Sequence, residues 1–256
     1  MAATSHPRVV SRLRAAGCVF AEDEARLLVD AARTPAELAL LVERRVAGLP
    51  LEHVLGWAEF CGVRVRVDAG VFVPRRRTEL LVREASAVAR PGAVVVDMCC
   101  GSGAVGAVIA AGAAAVELHA VDIDPVAVRC ARRNMLAPGV VHEGDLFEPL
   151  PVRLRGRVDM VVANAPYVPT DAIPLMPLEA RAHEPAVALD GGLDGLAVQR
   201  RLIAEAPEWL AAGGQLLVET GEQQASDTAE AFALAGLVPR VVRCEDLDAT
   251  VVVGRM

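Results

Sequence analysis

The chain has 256 residues, enough for one large domain or for an ordinary domain with a small companion. Hydrophobic residues make up 54% and aromatics only 3%, so the core has to be built from Ala, Val and Leu. All 26 basic residues are arginine; residues 1–90 hold 14 of them against 11 acids, residues 91–256 hold 12 against 22, and so acidic a major part argues against direct binding of nucleic acid.

The first 50 residues read as helices. Val9, Val10, Leu13 and Ala16 form one apolar stripe, and Ala25, Leu27, Leu28 and Ala31 a second. A third helix starts at the capping box Thr34-Pro35-Ala36-Glu37, carries Leu38, Leu40, Leu41 and Val42, and stops at Gly48 and Pro50. No apolar run follows Arg8, Arg12 and Arg14, so no signal peptide is expected, and the cytoplasm is the expected compartment. The cysteines at 18, 61, 99, 100, 130 and 244 include no C-x-x-C pair, and no histidine is spaced to complete a zinc site. Reduced thiols and no metal are the expectation.

Between 58 and 90 a linker region is expected. Val63, Val65 and Val67 alternate with Arg64 and Arg66 as a half-buried strand does; Asp68-Ala69-Gly70 reads as a turn, and Val71-Phe72-Val73 as the returning strand of a hairpin. A helix from about Thr78 to Ala89 follows, ending before Pro91-Gly92.

From 91 onward strands and helices alternate: Val94–Met98, Ala104–Ala111, Val116–Asp122, Pro125–Leu136, Val140–Val141, Val158–Ala163, Leu196–Ala212, Gln215–Thr220 and Gln223–Ala235. Met98–Val116 lacks charge for 19 residues, but its glycines and serine after a strand make it a turn and a buried helix, not a membrane span. Val238–Arg243 and Thr250–Val253, separated only by a turn, form an antiparallel pair. A Rossmann-like, mostly parallel α/β sheet finished by an antiparallel hairpin is the layout of Class I S-adenosylmethionine methyltransferases. The expected organisation is a helical recognition domain over 1–57, a hairpin-and-helix linker over 58–90, and a methyltransferase domain over 91–256.

The strand ending at Asp97 runs into Cys99-Cys100-Gly101-Ser102-Gly103, where glycines let the backbone approach a ligand. Asp97 suits the charged amino-acid part of S-adenosylmethionine, and a pyrophosphate-binding turn has no use for it. Asp122, which ends the next strand 21 residues after Gly101, suits a ribose diol. Asp145 after the third strand suits the adenine amino group, with Leu146 or Phe147 against the ring; the plainer alternative is a capping turn and a core aromatic. The fourth strand ends in Asn164-Ala165-Pro166-Tyr167. An amide nitrogen is a poor nucleophile, and an Asn oxygen plus a backbone carbonyl can orient it and stabilise the charge that grows on it.

That loop resembles the [N/D/S]-P-P-[Y/F/W] motif of amino-group methyltransferases. Pro50–Gly56, Glu59–Gly62 and Val73–Val82, with Glu184-Pro185, Ala188–Gly192, Asp194–Leu196, Gly213-Gly214, Glu219 and Gly221, look like the HemK/PrmC family of protein-glutamine methyltransferases. The resemblance covers roughly residues 50–256. It implies a Gln amide of a peptide chain release factor, in its Gly-Gly-Gln loop, as acceptor, held by Asn164 and the carbonyl of residue 165. The chain departs from the family pattern at three places. Ala165 stands where the family has proline, Cys99 where it has glycine, and Arg76-Arg77 where it has a proline and an acid. An offshoot methylating another amide or amino nitrogen therefore stays open, as does a cofactor-binding protein without catalysis; Asp97 and the Asn164 loop argue against a dehydrogenase.

Overall fold

The computed structural model describes residues 2–112, 115–135 and 139–256, with side chains from residue 6 onward. Leu136, the expected end of one helix, lies outside the described residues. Three helices open the chain, α1 (Ala2–Ala15), α2 (Ala21–Ala31) and α3 (Pro35–Val46), followed by the single turn α4 (Leu51–Leu55). They enclose a cluster of their own, in which Leu13, Ala25 and Leu28 are fully buried. At the start of α3, Thr34 Oγ1 accepts the Glu37 N–H at 3.1 Å, and Glu37 reaches back to the N–H of Arg33, one residue short of a reciprocal box.

The hairpin sits earlier than its alternation suggests. Its strands are β1 (Trp57–Phe60) and β2 (Val63–Arg66), and its turn is Cys61-Gly62 rather than Asp68-Ala69-Gly70. Both turn residues have positive φ, +50° and +76°, as the tight turns that match strand twist demand. A cysteine in the first of these positions carries no turn signature, which is why the pattern misleads. Val71 and Val73 are buried against Ala58, Val67 and Cys130 but pair with no strand.

After α5 (Glu79–Val88) the alternation takes over: β3 (Val94–Met98), α6 (Ala104–Gly112), β4 (Glu117–Asp122), α7 (Pro125–Asn134), β5 (Val140–Glu143), β6 (Val158–Ala163), α8 (Leu178–His183), α9 (Ala197–Trp209), β7 (Leu210–Thr220), α10 (Ala225–Leu234), β8 (Val238–Cys244) and β9 (Ala249–Arg255). The expected helix over 196–212 ends at Trp209, two residues after Pro207, and β7 begins at once. Seven strands form one sheet in the order β5-β4-β3-β6-β7-β9-β8. The first five are parallel; β9 runs antiparallel to β7, and β8 antiparallel to β9. The closing hairpin thus inserts its second strand, not its first, against the parallel sheet.

Strand periodicity divides the core in two. Val94, Val96 and Met98 face Leu202, Ile203 and Trp209 of α9 and Phe232 of α10, whereas Val95 faces Leu81 and Ala85 of α5 and Val105 and Ile109 of α6. Both faces are covered, and the carboxyl ends of β3, β4 and β6 open together on one rim. In doubly wound sheets that rim is where ligands bind.

Candidate active site

A cleft of about 680 Å³ occupies the rim, and Asp97, Cys99 to Ser102, Asp122, Asp145, Leu146 and Asn164 to Tyr167 all line it. Gly103 lies behind the wall, packed on Ala131. Gly103 and Phe147 apart, the structure therefore brings the expected site residues to a single space.

Asp97, next to last in β3, is 2% exposed. Its Oδ2 accepts the Gly106 N–H at 2.8 Å in the first turn of α6. Burial pushes its pKa up to about 7, the nearby charge of Asp122 adds to the rise, and this hydrogen bond opposes it. The turn that follows needs left-handed backbone at Cys99 (φ +56°), Gly101 (+55°) and Gly103 (+76°). Cys99 accepts a conformation that glycine takes freely, at a cost on the order of 1 kcal/mol. Burial pushes the thiols of Cys99 and Cys100 far up, so neither is a reactive thiolate.

Asp122 closes the turn from the side. Its Oδ2 accepts the Gly101 N–H at 2.8 Å and its Oδ1 the Asp124 N–H at 2.9 Å, while burial raises its pKa. Asp145 is bound by a residue that the sequence pattern did not single out: Arg201 of α9 donates to its Oδ2 at 2.6 Å. Leu146 faces the cleft, but Phe147 turns into the core and stacks on Trp209 with centroids 5.5 Å apart, so only Leu146 remains for a ligand ring.

The Asn164 loop is held from three sides. Asn164 Nδ2 donates to Thr78 Oγ1 at 3.2 Å. The Tyr167 hydroxyl donates to Glu219 Oε1 of β7 at 3.1 Å, and the Tyr167 carbonyl accepts from Gln224 Nε2 at 3.0 Å. Gly195 (φ +78°) presses on that same carbonyl: a Cβ there would stand 2.3 Å from the oxygen. Ala165 is fully buried. Burial raises the pKa of both Tyr167 and Glu219. Thr78 and Gln224 escaped the sequence reading because a buried Thr before a helix and a surface-type Gln look ordinary until the chain brings them to the loop.

The family described as Methyltransferase small domain matches residues 62–177. A release factor glutamine methyltransferase of Mycolicibacterium smegmatis is 38% identical over 252 residues, covering 96% of this chain and 89% of the relative. The chain belongs to the release factor glutamine methyltransferase family. A 4-amino-L-phenylalanine/4-methylamino-L-phenylalanine methyltransferase of Streptomyces pristinaespiralis is also similar, 36% identical over 76% of this chain and 69% of that one. A methyltransferase structure from Pyrococcus furiosus, 14% identical, superposes over 86% of this chain and 97% of its own with a TM-score of 0.58, which speaks for the fold alone.

The methyl donor of this methyltransferase is S-adenosylmethionine, and the wall of the cleft fits it. Asp97, Asp122 and Asp145 face the space, Arg201 is the cation paired with one of them, and Asp97 has no cationic partner among the described residues. Such a wall favours a ligand that brings positive charge and disfavours a pyrophosphate. Among the described residues no three His, Cys, Asp or Glu side chains gather into a metal-binding group, and no helix is long and apolar enough to cross a membrane.

Proposed function

We propose that this methyltransferase modifies the side-chain amide nitrogen of a glutamine in a protein, the Gly-Gly-Gln loop of a peptide chain release factor. The observation that carries the reading is Asn164 at the mouth of the cofactor cleft with its Nδ2 occupied by Thr78, which leaves Oδ1 free to accept an N–H. S-adenosylmethionine, when bound, supplies an electrophilic methyl on a sulfonium. Asn164 Oδ1 takes one N–H of the substrate amide and the Ala165 carbonyl takes the other, and both bonds strengthen as positive charge develops on the nitrogen. The Tyr167 ring, fixed through its hydroxyl by Glu219, packs on the planar amide. The surplus proton leaves the nitrogen to solvent after transfer. Asp97, Asp122 and Leu146 hold the amino-acid, ribose and adenine parts of the donor, with Asp145 shared between adenine and Arg201.

A second reading has two observations behind it. Ala165 replaces the first proline of the acceptor motif, and a relative 36% identical is named for an aromatic amine. One experiment separates the readings: the protein is incubated with S-adenosylmethionine and either intact release factor or 4-amino-L-phenylalanine, and products are read by mass spectrometry. One added methyl on the Gly-Gly-Gln glutamine supports the first reading. Methylated amine with unmodified release factor replaces it with the second.

A further inference from the structure

Glu219 uses only one of its two carboxylate oxygens to hold the Tyr167 hydroxyl. It lies near the end of β7 beneath the Asn164 loop, 2% exposed. The Tyr167 hydroxyl donates to its carboxyl at 3.1 Å, and the Thr78 hydroxyl and the Arg77 guanidinium act on it to favour the ionised form against its burial. Tyr167 occupies Oε1, while Oε2 is buried with no hydrogen-bond partner among the described residues. An orphaned carboxylate oxygen is costly, and the Thr78 hydroxyl, which favours the ionised form of Glu219, has a hydrogen to give it.

That hydrogen decides more than the comfort of Glu219. A hydroxyl has one proton to give, and an ionised carboxylate only accepts. If the Thr78 proton goes to Glu219, then Thr78 Oγ1 presents only lone pairs to the Asn164 amide 3.2 Å away. The two ends of an Asn amide have nearly the same shape, so the network chooses between them. An acceptor at Thr78 selects Nδ2 and repels Oδ1. Turned the other way, Asn164 would aim an NH2 group at the substrate's own N–H bonds.

We propose that Glu219 and Thr78 are positioning residues: the buried carboxylate orients the Thr78 hydroxyl, and that hydroxyl fixes the Asn164 amide with Oδ1 toward the acceptor nitrogen. The benefit to turnover rests on the role of Asn164 given above; the relay itself is a property of the protein alone.

The test reads both. In the full-length, nitrogen-15-labelled protein, the side-chain amide of Asn164 is assigned by its loss in Asn164→Ala, and its hydrogen exchange is followed. One Nδ2 proton should be protected in the parent and in Thr78→Ser, should exchange about tenfold faster in Thr78→Val, and should loosen several-fold in Glu219→Gln, whose amide can face Thr78 either way. On whichever acceptor the parent methylates, Thr78→Val and Glu219→Gln should lower kcat about tenfold and leave the affinity for S-adenosylmethionine unchanged. In the Asn164→Ala background Thr78→Val should cost nothing further. Unchanged exchange in Thr78→Val, the same behaviour in Thr78→Ser, or an undiminished cost in the Asn164→Ala background overturns the relay. Should Thr78→Val fail to fold, the Asn164 signal in Glu219→Gln carries the same decision. A protected Asn164 proton in a protein that leaves release factor untouched sinks the glutamine reading and leaves the relay standing.

Discussion

Raising the pH should weaken the ligand-free protein and tighten its hold on S-adenosylmethionine, both through the carboxyl of Asp97. In the folded chain burial pushes this group up to about 7 from an ordinary 3.8, the nearby charge of Asp122 works in the same direction, and the Gly106 N–H works against both. Between those two values the native state holds a proton that the unfolded chain has released. Its stabilisation is therefore complete below pH 3.8 and disappears as the pH rises through 7. At 1.36 kcal/mol per pH unit, the interval is worth at most about 4 kcal/mol. Asp97→Asn keeps an oxygen for Gly106 but cannot ionise, so the ligand-free variant should melt above the parent at pH 8 and level with it near pH 4. Binding adds the opposite linkage. A ligand with an ammonium and a sulfonium favours the ionised carboxylate, so affinity should climb by up to about tenfold per pH unit below 7. Above about pH 8 it should fall again as the ligand's α-amino group deprotonates. Thermal melts and calorimetric titrations in buffers of different ionisation enthalpy read both halves. Affinity flat from pH 5.5 to 7.5, without proton release, would refute the assignment of Asp97 to the charged end of the donor.

Three further outcomes are expected. Asp122→Ala removes the acceptor of the Gly101 and Asp124 N–H groups as well as the proposed ribose ligand, so S-adenosylmethionine should bind about 1–3 kcal/mol more weakly, and calorimetry showing unchanged affinity would clear Asp122 of that role. Ala165→Pro keeps the backbone carbonyl, and Pro166 already biases residue 165 toward extended backbone, so the variant should fold and gain less than about tenfold activity on a Gly-Gly-Gln substrate; a larger gain would favour the small-molecule reading. Arg45→Met should destabilise the protein by about 3–5 kcal/mol in urea melts, because it strands Glu24, bonded at 2.6 and 3.0 Å, and frees Glu179 at 2.6 Å; Arg45→Met with Glu24→Leu should recover most of the loss, and a single-variant cost below about 1 kcal/mol would contradict it.

The alternating core was legible because its signal is local. Val94–Met98, Val158–Ala163 and the closing pair β8 and β9 declare themselves by runs of β-branched residues bounded by turns. The ligand-facing ends of those strands were legible for the same reason, since topology alone sends Asp97, Asp122, Asp145 and Asn164 to one rim. The hairpin register was not, because its turn depends on a positive φ at Cys61, a residue that rarely signals one. Nor were the contacts of the second layer of the site, although Thr78 and Glu219 fall in stretches that carry the family resemblance. Thr78, Arg201, Glu219 and Gln224 lie 86, 56, 52 and 57 residues from the positions they hold, and no local pattern records a contact of that separation.

The arginines at 75–77 show how such contacts change the meaning of a sequence. Set before the N-terminus of α5 they oppose the helix dipole, which favours acids at that end. The fold surrounds two of them with acids from distant segments. Arg75 donates to Glu184 at 2.5 Å and lies over the ring of Phe72, while Arg77 stands near Tyr167, Glu219 and Asp248. Glu184 also takes the Val73 N–H at 3.2 Å, so one carboxylate ties the backbone before the arginines to the segment after α8. Arg45 makes the equivalent tie from the N-terminal helices to Glu179 of α8, and Glu179 lines the cleft. Both ties converge on residues 168–194, the stretch between the Asn164 loop and α9. Arg75 and Arg45 thus anchor one segment of the chain to another around the cleft, while Arg76 is exposed.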